Sequence, residues 1–230
     1  MKTENHRQAL LRTLYQEAMG VSRKPTDNEL DWRRDKVREL EEADLKEMFT
    51  RPASDHPAQP TGNPRLDRIL RNAGVAMLYG FSPANSAVQF DALSEHMKAQ
   101  VKTRDFISFP NADGFPDMAA YRRTLAHELI HWTGTEGRSH RRGTDSGMNW
   151  LHEILGIPPD GYAQEEMTAE FGAVLLLDEV APDDASIAHS ALYAGDWANS
   201  LSDDKRAKAY TAAMRDAIKA VDWLLQFDHD

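Results

Sequence analysis

The sequence predicts an α+β fold in which a small sheet packs on one helix carrying "HELIH" and the carboxy-terminal part is helical. Three observations predict it. Apolar residues recur at helical spacing near both ends of the chain, short apolar runs bounded by Gly, Pro, Asn or Asp sit in the middle, and no stretch repeats. With 230 residues, 41% of them hydrophobic and 28% charged, the chain is long enough to bury one substantial core, or one domain with a smaller appendage.

The elements follow in order. "ENHRQALLRTLYQEAM" places Leu10, Leu11, Leu14 and Met19 at near-helical spacing. "TDNELDWRRDKVRELEEADLKEMF" does the same with Leu30, Val37, Leu40, Leu45 and Met48, with Thr26 or Asp27 as its cap. "RPASDHPAQPTGNP" then reads as a linker, because four prolines and a glycine cannot continue a helix. Residues 1–62 are thus expected to be a helical amino-terminal extension with a Pro-rich linker, and residues 63–230 the main domain. In that domain "RLDRILR" predicts a short helix, and "GVAMLYG", "SAVQF" and "DFISFP" predict strands. After "HELIH" the chain reads as helical through "YAQEEMTAEFGAVLLLDEV" and "DDKRAKAYTAAMRDAIKAVDWLLQF".

Composition narrows the chemistry. There is no cysteine, which excludes a disulfide framework, a thiolate metal site and a cysteine nucleophile, so that any metal must sit on His, Asp or Glu. The polar start "MKTENHRQAL" does not read as a secretory signal, and "FGAVLLL" is too short to span a bilayer, so a cytoplasmic location with no membrane partner is expected. The net charge of -10 is uneven: -1 over residues 1–62, +3 over residues 63–142 and -12 over residues 143–230. An acidic last third argues against nucleic-acid binding over the whole surface, while leaving room for a local basic patch. Arg65, Arg68 and Arg71 form a stripe at helical spacing, which a solvated helix face explains as well as a nucleic-acid contact does.

"HELIH" carries the chemistry. On a helix, residues four apart lie one turn up on the same face, so His127 and His131 can present their rings to a common point. Glu128 flanks that point without binding it, where it can take a proton from water activated by an ion. Leu125, Leu129 and Trp132 face the other way and pack. A catalytic zinc needs a third protein ligand. The extended pattern HExxHxxGxxH fails here, since Gly137 stands where its last histidine belongs, and Glu136 and His140 have no recurrent spacing behind them. Glu166, in "GYAQEEMTAEFGAV", is the better ligand, with Glu170 one turn later as its supporter or the alternative ligand. Met167, Phe171 and Val174 form the apolar stripe that docks this second helix.

Three blocks, "YRRTLAHELIHWTGTEGRSHR", "YAQEEMTAEFGAVLL" and "YAGDWANSLSDDKRAKAYTAAMRDAIKAVDWL", resemble the zincin-like metallopeptidase domain of ArdC-type antirestriction proteins, which also occurs in phage and plasmid polyvalent proteins. The resemblance covers about residues 75 to 228. It implies a zinc-dependent peptidase of gluzincin-like architecture, with His127 and His131 as ligands, Glu128 as general base and the Glu166/Glu170 segment as source of the third ligand. Zinc is the implied cofactor, another divalent metal the alternative. Arg138 and Arg141 match the family's arginines after the helix and are placed by the resemblance near the site; Tyr162 and His140 are candidates to stabilise the oxyanion. The family protects incoming DNA from host restriction, which implies a peptide or protein substrate, with DNA or a host restriction component as a further partner. A non-catalytic antirestriction binding protein with a structural or vestigial metal site is the alternative function. Residues 1–62 do not match the family's single-stranded-DNA-binding domain and are too short for it.

Overall fold

The computed structural model describes residues 2–21, 60–79, 95, 98–99, 105–135, 137–139, 141 and 161–230. The second amino-terminal helix expected over residues 27–48, most of the Pro-rich linker, the strand expected at "SAVQF", and Glu136 and His140 lie outside the described residues. The chain divides into two compact units, one of residues 1–23, 60–74 and 116–230, the other of residues 24–59 and 75–115.

The larger unit is helical in its described residues. α1 (Glu4–Val21) buries Leu11, Leu14 and Ala18 along one face. α2 (Pro64–Asn72) starts on a proline, whose missing N–H costs a first turn nothing, and the Asn63 side chain accepts from the backbone N–H of Arg65 and Leu66. It buries Leu66, Ile69 and Leu70 and turns its arginines outward. Arg65 and Arg68 both pair with Asp228, at 2.7 and 2.8 Å, so two of the three residues of the basic stripe are neutralised by the carboxy terminus.

α3 (Met118–Trp132) carries "HELIH" and is capped by Asp117, which accepts from the Ala120 N–H at 2.7 Å. α4 (Tyr162–Val180) is buried on nearly every face and packs against α3, against α5 (Ile187–Asn199) and against α6 (Asp203–Leu225). Its sequence explains this place: Met167, Phe171, Val174, Leu175, Leu176 and Leu177 leave no polar side for water, which is the mark of a central helix. α6 lets it approach through Ala213, Ala217 and Ala220, all fully buried. Phe171 stacks on Tyr210 with ring centroids 6.0 Å apart, and Tyr15 meets Tyr210 edge-on at 5.0 Å.

α1 packs on α5 and α4 and falls in the same compact unit as the "HELIH" helix. Arg7 ties it there, pairing with Glu179 on α4 and Asp222 on α6.

In the smaller unit, β1 (Met77–Tyr79) and β2 (Ile107–Phe109) pair in parallel, with Leu78 opposite Ser108. Parallel strands need a crossover of a dozen residues or more, and residues 80–106 provide that length. Phe109 stacks on Phe115 at 5.5 Å just beyond the second strand. Among the described residues no helix is long and apolar enough to cross a membrane.

Candidate metal centre

α3 and α4 bring three ligand-type side chains together. His127 and His131 extend from one face of α3, and their Nε2 atoms stand 3.0 Å apart. Glu166, from the first turns of α4, sets one carboxylate oxygen 3.5 Å from His127 Nε2 and the other 3.5 Å from His131 Nε2. The opposite nitrogen of each ring has its own carboxylate: Glu170 lies 3.1 Å from His127 Nδ1, and Glu165 lies 3.2 Å from His131 Nδ1.

This arrangement fixes what the cluster can hold. A neutral imidazole that donates from Nδ1 to a carboxylate has a bare lone pair at Nε2. Two such lone pairs and the Glu166 carboxylate then converge with no proton between them, which repels unless a cation sits there. Ligand atoms about 2.0–2.1 Å from a common tetrahedral ion lie about 3.3–3.4 Å from one another. The two Nε2 atoms stand 3.0 Å apart, each Glu166 oxygen is 3.5 Å from one of them, and one ligand atom from each of the three residues lies within 4.8 Å of the other two, so His127, His131 and Glu166 could hold a metal ion. Protons do the same work when metal is absent. Burial by itself would lower His127, but its hydrogen bonds to Glu166 and Glu170 outweigh that and carry it up to about 9. His131 rises against its burial to about 10, through Glu165 and Glu166. Glu166, which burial would raise, is held far below the usual carboxylate range by the two histidines.

Glu165 is the residue that sequence reasoning missed. Its side chain is 5% exposed, and it takes the Arg141 guanidinium in a fork, with Nε to Oε2 at 2.9 Å and Nη2 to Oε1 at 2.6 Å. Arg141 and His131 hold the Glu165 carboxyl below its ordinary value against the burial that would raise it. The adjacent pair "EE" was the available signal: on a helix, neighbours point about 100° apart, so one carboxylate faces the rings while the other reaches behind them.

The two arginines expected near the site are not in its cleft. Arg141 is buried and also donates to Thr133 Oγ1 at 2.7 Å and to the Ile130 carbonyl at 2.5 Å, and it reaches His131 through Glu165. Arg138 lies flat over the Trp132 ring, 3.6 Å from its centroid, and donates to the Trp132 carbonyl. Both follow the last turn of α3, and neither is among the described residues that line the cleft.

A cleft of about 560 Å³ opens over the three ligand-type residues. Glu128 lines it, as do Tyr162 and the apolar Ala173, Val174 and Leu177. α5 also lines it, through His189, Ser190, Tyr193 and Trp197, together with Ser186, the residue that caps this helix. Sequence reasoning did not separate this helix. Tyr162 meets Trp197 edge-on at 5.2 Å, which fixes the tyrosine at the rim.

Residues 84–215 match the MPTase-PolyVal family of zincin-like metallopeptidases. The chain belongs to that family. This zincin-like chain is also similar to a DNA primase TraC of Escherichia coli, 34% identical over 165 residues that make up 71% of the chain and 13% of the primase. A second DNA primase TraC of Escherichia coli is 34% identical over 124 residues, 54% of the chain and 8% of that protein. The zincin-like chain therefore spans about an eighth or less of the length of these relatives. No solved structure matches it.

Proposed function

We propose that the chain is a zinc-dependent peptidase in which His127, His131 and Glu166 hold the ion. The observation that carries this reading is the convergence of two ring nitrogens 3.0 Å apart with a carboxylate that sets one oxygen 3.5 Å from each, in a cleft that Glu128 also lines. Zinc bound there supplies Lewis acidity, polarising a scissile carbonyl and acidifying water for attack on it. The protein's own groups do the rest. Glu128 follows His127 directly on α3 and so faces the cleft without joining the ligands; it takes the proton from the attacking water and delivers it to the departing amine. Glu170 and Glu165 hold the two rings with Nε2 inward. Tyr162, which lines the cleft, donates a hydrogen bond from its hydroxyl to the oxyanion that develops on the carbonyl.

The working context we infer is the cytoplasm of a bacterial host, on behalf of a phage or plasmid. The family resemblance supports an antirestriction role with a host protein as substrate, and the two relatives named DNA primase support a setting in DNA handling.

The test is zinc content together with hydrolysis. Purified protein should carry one zinc per chain by mass spectrometry, His127→Ala should lose it, and Glu128→Gln should keep the metal while losing peptide hydrolysis. Zinc bound by all three proteins alike would remove the ligand assignment. Hydrolysis undiminished in Glu128→Gln would remove the proton role and favour the binding-protein reading.

A further inference from the structure

Arg123 stands one turn before His127 on α3, so Arg123, His127 and His131 follow one another at four-residue intervals along one face. It lines the same cleft as the three ligand-type residues. Its environment differs from that of several other arginines of this unit. Arg122 is clasped by Asp184 at 2.6 Å, Arg141 by Glu165, and Arg65 and Arg68 by Asp228. Among the described residues no carboxylate pairs with Arg123, and its Nε is buried without a hydrogen-bond partner. Arg123 is half-buried and lines the cleft, so its guanidinium lacks a protein counter-charge where a ligand can reach it.

The three carboxylates that share the cleft do not serve that purpose: among the described residues Glu128 makes no ion pair with Arg123. Glu166 and Glu170 face the histidines at 3.1–3.5 Å. On α5, His189 is held below its ordinary value by burial and then by the charges of Arg123 and His127, against the pull of Glu170.

We propose that Arg123 is a specificity residue of this cleft and receives a carboxylate of the bound peptide, either an acidic side chain or the carboxy-terminal group. The proposal rests on the peptidase reading above. Spacing sets the register. The midpoint of His127 and His131 lies about 9 Å along the helix axis from Arg123 at 1.5 Å per residue, and an extended peptide advances about 3.3 Å per residue. The recognised carboxylate therefore lies about two or three residues from the scissile bond. The apolar Ala173, Val174 and Leu177 that line the same cleft suit an uncharged residue of the peptide.

Three hydroxamate-capped dipeptides test this, since a hydroxamate anchors to zinc whether or not the protein hydrolyses peptides. One carries an internal glutamate and an amidated end, one a glutamine and a free carboxyl end, and one a glutamine and an amidated end. With zinc-loaded protein, one charged probe should bind at least about tenfold more tightly than the neutral one, as a charge-assisted fork requires. Which probe wins identifies the source of the carboxylate. In Arg123→Met the margin should shrink to within about twofold at unchanged zinc content. Arg123→Gln is read in the same way should the methionine variant not fold. Equal binding of all three probes by the unaltered protein, or a margin that survives in the neutral variants, overturns the proposal. Failure of the peptidase reading shows separately, as hydroxamate binding without hydrolysis of any peptide. Absence of zinc uptake sinks both.

Discussion

The Nε2 atoms of His127 and His131 stand 3.0 Å apart, while the Nδ1 atom of each ring faces a different glutamate. Without metal, protons must occupy this space, and the surrounding carboxylates hold them there up to about pH 9 for His127 and about pH 10 for His131. Metal and protons therefore compete for the same lone pairs.

Zinc affinity should rise steeply with pH between about 6 and 9, with protons released on binding. The stability of the metal-free protein should run the other way on the alkaline side. The raised histidines contribute stability that is fully present below about 6.5 and is lost as pH climbs through 9 to 10. Glu166, held low, contributes stability that is present above about 4.5 and is lost as pH falls. The melting temperature of zinc-free protein should accordingly be best between those limits, and the gap between zinc-loaded and zinc-free protein should widen toward pH 9. Calorimetry at several pH values measures both; a gap that narrows as pH rises would contradict the proton-for-metal exchange.

Glu166 and Glu170 can be told apart. Glu166→Gln removes charge from a carboxylate whose two oxygens face both Nε2 atoms. Glu170→Gln leaves the three ligand groups intact and weakens only the hold on His127 Nδ1. Loss of such an outer partner costs about 10–100-fold in metal affinity, and loss of a ligand should cost more. Competition with a chelating dye ranks the two variants, and the reverse ranking would make Glu170 the ligand.

Arg141 is expected to matter for stability before chemistry. Its side chain is 3% exposed and that of Glu165 is 5% exposed. Removing one partner of a buried pair leaves the other charge uncompensated, at a cost of about 3–5 kcal/mol. Arg141→Met should lose about that much in urea denaturation of the zinc-free protein, and Arg141→Met with Glu165→Gln should recover part of the loss. Equal stability of the single variant and the unaltered protein would show that the fork carries no weight.

Much of this was legible in the sequence, for physical reasons that also mark the limit. The α3 helix announces itself because Leu125, Leu129 and Trp132 repeat at helical spacing, and that same spacing sets His127 and His131 side by side. Glu166 and Glu170 were legible for the same reason. The Arg141–Glu165 fork was not, because a contact between a loop and a distant helix leaves no periodic trace. The helix α5 was missed because "IAHSALYAGDWAN" mixes alanine, glycine and serine with large rings and shows no clean apolar stripe. Nor does any local pattern tell that α1 packs on α5, since Leu11 and Leu14 would serve any core equally well.

Gly172 sets how closely α4 approaches α3. A Cβ placed there would stand 2.7 Å from both Cγ1 and Cδ1 of Ile130 and 3.0 Å from its Cγ2, inside the contact distance of carbon atoms. Ile130 directly precedes His131, so any shift that relieves the clash moves the rings relative to Glu166 and Glu170. Alanine is favoured over glycine within a helix by about 1 kcal/mol, whereas overpacking a core costs about 1–3 kcal/mol. Gly172→Ala should therefore be destabilising on balance, and it should weaken zinc binding although no ligand has changed. Ile130→Ala alone opens a cavity, but combined with Gly172→Ala it removes the clash, so the double variant should be more stable than the sum of the two singles implies. Denaturation curves and zinc competition on the four proteins of this cycle measure the coupling. Strict additivity in both readouts would show that the helices do not depend on this glycine for their spacing.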